Sequence, residues 1–110
     1  MLKDVPADCP ARTEELFGPV ATAVEVDDET EAIERANDTP YGLSASVWTT
    51  DRERGRRVAE QVEAGAAFVN EMSKSDPRLP FGGIKDSGYG SELSQHGIRE
   101  FTNAKTYWIQ

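Results

Sequence analysis

Residues 43–69 read LSASVWTTDRERGRRVAEQVEAGAAFV, and two periodicities meet in them. Leu43, Ala45 and Val47 alternate with Ser44, Ser46 and Trp48, the period of two that puts side chains on opposite faces of a strand. From Thr50 the period lengthens. Thr50 and Glu53 have capping-box spacing, and Gly55, Val58, Ala59 and Val62 recur along one helical face. Gly65 is placed to end that helix, and Ala66 to Val69 is apolar enough for a short buried strand. Strand, helix and strand at this spacing is the pattern of a crossover between parallel strands.

Working upstream, Val20, Thr22, Val24 and Val26 alternate with Ala21, Ala23 and Glu25, which predicts an earlier strand. Asp28 followed by Glu31 predicts a helix cap; Ala32, Ile33 and Ala36 share a face of that helix, which stops before Asp38, Thr39 and Pro40. Pro6 and Pro10 make residues 1–11 an irregular leader. Downstream, residues 71–90 lack periodicity and are rich in Gly and Pro, the composition of a long ordered loop of the kind that usually carries function. Leu93, Gly97, Ile98 and Phe101 suggest a short helix, and Ala104, Thr106 and Trp108 against Lys105, Tyr107 and Ile109 a last strand whose apolar edge needs a partner. The expected fold class is α/β, a βαβαβ parallel sheet ending in a short helix and a strand.

The 110 residues carry 20 acidic against 12 basic side chains, a net charge of -8. That balance disfavours nucleic acid and anionic membranes, both of which ask for a basic footprint. The longest apolar stretch, Ala64 to Val69, is far short of the roughly 20 residues a membrane helix needs, and the first residues lack an export pattern. A cytoplasmic protein is expected. Four of the 12 basic residues are lysine, a carboxylate-rich surface suited to high salt. One cysteine and one histidine exclude an internal disulfide and a zinc-type ligand set, so no metal is expected.

Two stretches could carry chemistry. In Glu15-Leu16-Phe17-Gly18-Pro19 a carboxylate can accept hydrogen bonds from a diol while a phenyl ring packs on a flat heterocycle, as a nucleotide requires. Glu15 as a solvated charge and Phe17 as a core anchor fit the same residues. Pro80 to Gly88, PFGGIKDSG, has glycines dense enough for close backbone approach, yet it is neither a Walker loop nor a dinucleotide fingerprint. The remaining signals are weaker as chemistry: Glu92, His96 and Glu100 at helical spacing, Cys9 with no histidine near it, and Ser73, Lys74 and Ser75, which lack Ser-x-x-Lys spacing.

Taken in order, residues 14–20, EELFGPV; 36–43, ANDTPYGL; 64–70, ending in Val69-Asn70; 80–88, PFGGIKDSG; and 101–108 resemble the C-terminal part of the aldehyde dehydrogenase superfamily. Residues 73–80, SKSDPRLP, are most similar to its succinate-semialdehyde dehydrogenase branch. The resemblance implies that residues 12–101 belong to that family's catalytic domain and residues 102–110 to an oligomerisation strand. It implies NAD or NADP as cofactor, with Glu15 on the nicotinamide ribose and Phe17 beside the nicotinamide ring. It places Ser75 at the distal carboxylate of a small aldehyde substrate, with Arg78 a charged rival, and Phe81 near the aldehyde pocket. It also implies a homo-oligomer. The family's nucleophilic cysteine and general-base glutamate have no counterpart in this sequence, so no catalytic residue is assigned and a chain inactive by itself is expected. Glu71 and Ser91 depart from the residues common in the family. Two other readings fit the same residues: an acidic α/β interaction module, and a piece that complements a separately encoded N-terminal half.

Overall fold

Pro10 lacks an amide hydrogen that a helix's first turn leaves unused, and it opens a short helix rather than preventing one. The computed structural model, which describes residues 1–6 and 8–110, has this helix, α1, at Pro10–Thr13. Ala7, in the expected irregular leader, lies outside the described residues. The chain divides into two compact units, Met1–Pro40 and Tyr41–Gln110.

In the first unit the expected strand at Val20–Val26 forms no ladder among the described residues. It makes one parallel bridge, Leu2 to Thr22, in which the Leu2 amide donates to Ala21 O at 2.7 Å and the Ala23 amide to Leu2 O at 2.8 Å. Alternation fixes which way side chains face, whereas a ladder needs a neighbouring backbone, and among the described residues Leu2 alone supplies one here. Val20, Val24 and Val26 consequently stay exposed. Helix α2, Glu29–Asn37, starts where expected: Asp28 Oδ1 accepts the Glu31 amide at 2.9 Å. Glu31 Oε2 reaches back to the Asp27 amide at 3.0 Å, one residue before the expected partner. Ala32 and Ile33 are half-buried, while Ala36 is exposed.

The second unit holds the predicted crossover. Strands β2, Ser44–Val47, and β3, Ala66–Val69, pair in parallel, Ser44 opposite Ala66 and Val47 opposite Val69, joined through helix α3, Arg52–Ala59. The fold is thus α/β with a parallel sheet. The helix is capped one residue later than expected: Asp51 Oδ1, not Thr50, accepts the Arg54 amide at 3.0 Å, and Thr49 Oγ1 accepts the Asp51 amide at 3.2 Å. Nor does Gly65 end it. The helix stops at Ala59, with Glu60 as its C-cap. Gly65 instead sits where its Cβ would fall on the Gly82 carbonyl. That close approach brings residues 81–83 alongside the entry to β3.

Two further short strands, β1 at Tyr41–Gly42 and β4 at Ile84–Lys85, pair antiparallel, so the loop of residues 71–90 is tied down in its middle. Ser87 Oγ accepts the Gly42 amide at 2.9 Å, and Lys85 Nζ lies 2.7 Å from Glu63 Oε2. Helix α4, Ser94–Glu100, follows close to its predicted place. Its Gly97 is buried because a Cβ would come within 2.6 Å of the Glu92 backbone. The predicted final strand is not formed among the described residues: residues 102–110 have no ladder partner, and Tyr107, Trp108 and Ile109 are 74%, 85% and 89% exposed. No hydrophobic side chain among the described residues is fully buried, so the packing surfaces of both units are largely open. No described helix is long and apolar enough to cross a membrane.

Candidate functional site

After α1 closes on the Glu14 amide donating to Pro10 O at 2.7 Å, the chain turns through Glu15, Leu16 and Phe17. Phe17 has φ 43, in the left-handed region that a residue with a Cβ enters at a cost of order 1–3 kcal/mol. Its ring is 88% exposed, so hydrophobic burial does not offset that cost within this unit. The Val20 amide donates to Gly18 O at 2.7 Å, tightening the Gly18-Pro19 corner that follows. Glu15 is exposed beside it. Both line a hollow of about 420 Å³ with Leu16, Gly18, Val20 and Thr22. Phe17 is therefore not a core anchor here. A carboxylate and an open aromatic face on one hollow can accept hydrogen bonds from a diol and pack on a flat ring.

The other two predicted site residues lie in the second unit. Phe81 is half-buried and fixed by a pair of backbone hydrogen bonds with Glu92, at 2.9 and 2.8 Å. It lines a hollow of about 470 Å³ with Leu43, Tyr89 and Phe101, which is apolar on these sides and polar at Glu92 and Glu100. Ser75 is exposed on the preceding loop. That loop is anchored at both ends, by Ser44 Oγ and Ser73 Oγ 2.7 Å apart and by the Ser94 amide donating to Pro77 O at 3.1 Å.

Astride the second anchor lies a feature that the sequence motifs do not single out. Asp76 accepts three hydrogen bonds from Arg78: from its backbone amide at 2.9 Å, from Nε at 2.9 Å and from Nη2 at 2.7 Å. These bonds, the side-chain pair foremost, hold the Asp76 carboxyl well below the ordinary aspartate range and raise Arg78. Lys74 Nζ is likewise 2.8 Å from Glu71 Oε2, and that hydrogen bond lowers Glu71. Both cations of the loop are thus paired with its own carboxylates. Arg78, the expected rival of Ser75 for an anionic tail, already carries a counter-ion. The signal was present in Asp76-Pro77-Arg78, because Asp before Pro starts turns in which its side chain takes the amide two residues on. Among the described residues no cluster of three His, Cys, Asp or Glu side chains could hold a metal ion.

The chain belongs to the aldehyde dehydrogenase family, whose family model matches residues 1–107. It is 56% identical over 109 residues to a probable NADP(+) succinate-semialdehyde dehydrogenase of Synechocystis, and 50% identical to succinate-semialdehyde dehydrogenase [NADP(+)] 1 of Mycobacterium tuberculosis. Each match covers 99% of this chain and 24% of the relative, so the chain spans about a quarter of the length of the curated relatives it matches. Among solved structures, it superposes with TM-score 0.91 and 43% identity on succinic semialdehyde dehydrogenase from Streptococcus pyogenes in complex with NADP+, covering 97% of this chain and 24% of that one. An indole-3-acetaldehyde dehydrogenase complexed with NAD+ gives TM-score 0.90 at 40% identity, over 98% of this chain and 22% of that one.

Proposed function

We propose that this chain is the C-terminal part of an NAD(P)-dependent aldehyde dehydrogenase that oxidises succinate semialdehyde or a similar semialdehyde to the carboxylate. The observation that carries the reading is Phe17, held in a left-handed conformation with its ring in the open beside Glu15. Strain of this kind clusters at active sites and ligand clamps. Glu15 accepts hydrogen bonds from the ribose hydroxyls, and Phe17 packs its face on the nicotinamide and keeps water from that side. When bound, the nicotinamide supplies the hydride acceptor for aldehyde oxidation. Phe81 lends an apolar wall to the aldehyde and Ser75 a hydroxyl donor to its distal carboxylate. The reading is supported by family membership, by relatives named as succinate-semialdehyde dehydrogenases and by the cofactors named in the solved structures.

The chain contributes no thiolate nucleophile and no general base to this chemistry. By itself it is then inactive, and completing it with the rest of an aldehyde dehydrogenase chain makes an active, homo-oligomeric, cytoplasmic enzyme. Residues 102–110, with Tyr107, Trp108 and Ile109 open, provide a strand edge for the neighbouring subunit. The test is made in that complete enzyme. Glu15→Gln weakens charge-assisted hydrogen bonds and raises KM for the dinucleotide about tenfold, with KM for aldehyde little changed. Equal effects on both substrates, or NAD(P)H formation by the 110 residues alone, would remove the proposal.

A further inference from the structure

The loop of residues 71–79 carries two cations and two carboxylates, and all four charges are consumed within it. Ser75 stands between the two pairs, exposed, in a stretch held by the Ser73 hydroxyl and the Pro77 carbonyl. We propose that Asp76 is a specificity-determining positioning residue: by clasping Arg78 it keeps the loop electrically neutral and leaves the Ser75 hydroxyl as the group the loop offers to the far end of the substrate. This rests on the proposed placement of Ser75 and goes beyond it, because it assigns the choice between serine and arginine to a third residue.

The clasp is built for that role. Nε and Nη2 face the two carboxylate oxygens in the fork geometry that arginine and a carboxylate share, and the Arg78 amide adds a third bond to the same acceptor. An ion pair attracts a distant anion far less than a lone guanidinium does, because its two charges nearly cancel. Arg78 is 85% exposed, so geometry does not hide it; what withholds it from an anionic tail is its counter-ion. The other charges on this loop, Lys74 and Glu71, cancel in the same way.

The experiment compares kcat/KM for a semialdehyde ending in a carboxylate with that for an uncharged aldehyde of equal length, in the complete enzyme that carries this segment. Asp76→Asn keeps the side-chain volume but releases the cation, and the carboxylate-to-neutral ratio rises about threefold to tenfold, shrinking as salt is added. Arg78→Gln leaves Asp76 unpaired and lowers the ratio. The double variant returns it to the parent value. General loosening of the loop affects both aldehydes and leaves the ratio where it was, so an unmoved ratio in Asp76→Asn and Arg78→Gln overturns the proposal. Ser75→Ala separates the two levels. If it lowers the ratio while Asp76→Asn leaves it unmoved, the placement of Ser75 stands and the role of Asp76 falls. If none of the variants moves the ratio, the loop does not face the substrate's tail and both fall.

Discussion

Gly55 of α3 lies so close to Val69 at the end of β3 that a methyl group on it would sit 2.5 Å from Val69 Cγ1 and 3.0 Å from Thr49 Cγ2. Two effects oppose each other at this position. Alanine is the better helix former by roughly 0.5–1 kcal/mol, whereas forcing a methyl into filled space costs about 1–3 kcal/mol. Valine is restricted at χ1, so Val69 gives way only at a cost. Gly55→Ala is therefore expected to destabilise the chain by about 1 kcal/mol, read as a lower urea midpoint by circular dichroism. Adding Val69→Ala makes room and recovers part of that loss, a coupling that a double-mutant cycle measures. A gain in stability from Gly55→Ala alone would show that helix and sheet are not in this contact.

The start of α3, by contrast, is only partly legible. Thr49, Thr50 and Asp51 are all competent N-caps, and Thr50 with Glu53 has the spacing of a capping box. Local rules do not rank them. The helix begins at Arg52, with Asp51 the acceptor for the Arg54 amide and Gly55 seated on Val69. Asp51→Ala should then lower the urea midpoint measurably and Thr50→Ala leave it nearly unchanged in the same titration. The reverse order would return the cap to Thr50.

Elsewhere the division between legible and hidden follows range. The β2-α3-β3 crossover is written in short-range periodicity, which is why residues 43–69 disclose it. Val20–Val26 has equally clean alternation, but a strand needs a second backbone, and no property of those seven positions reports whether one is beside them. At the candidate site Glu15 and Phe17 could be chosen by chemistry, while the strain at Phe17 could not, since its left-handed φ follows from how α1 and the Gly18-Pro19 corner join. The Asp76 clasp was missed for a different reason. A rule that takes each charged residue by itself offers Arg78 to an anion, and only its bond to Asp76, set by the turn at Pro77, removes it from candidacy.

Acid titration checks that bond directly. Aspartate ordinarily titrates near 3.8, and the hydrogen bonds from Arg78, with a smaller contribution from the charge of Lys74, hold Asp76 well below that value. A carboxyl whose folded value is depressed contributes stability that is fully present above its unfolded value and is lost as pH falls toward the folded one. The clasp should therefore persist at pH 4 and loosen only in stronger acid. The Asp76 carboxyl carbon shift, followed by nuclear magnetic resonance, should stay in its ionised range through pH 3.8. A midpoint at the ordinary value would mean that the clasp does not form in solution, and Arg78→Gln should move the midpoint up to it.

Gly65 makes the last prediction, since it joins the sheet to the stretch that carries Phe81. Its amide donates to Gly42 O at 3.0 Å, and its missing Cβ leaves the space that the Gly82 carbonyl fills. The atom in the way belongs to a backbone, so no rotamer change can clear it; either β3 or residues 82–83 must move. Residues 82–83 are held in turn, Phe81 by Glu92 and Ile84 by pairing with Gly42. Gly65→Ala is accordingly expected to cost more than about 2 kcal/mol, in the upper range for single substitutions. Gly88→Ala is a useful contrast. Its Cβ would meet nothing within 4 Å, and only φ +135 opposes it, so the damage stays local to the loop. Amide hydrogen exchange separates the two: Gly65→Ala should lose protection across Ala66–Val69 and at the Phe81 and Glu92 amides together, whereas Gly88→Ala should leave both sets protected. Loss confined to one set in Gly65→Ala would show that the glycine contact does not couple the sheet to the Phe81 wall.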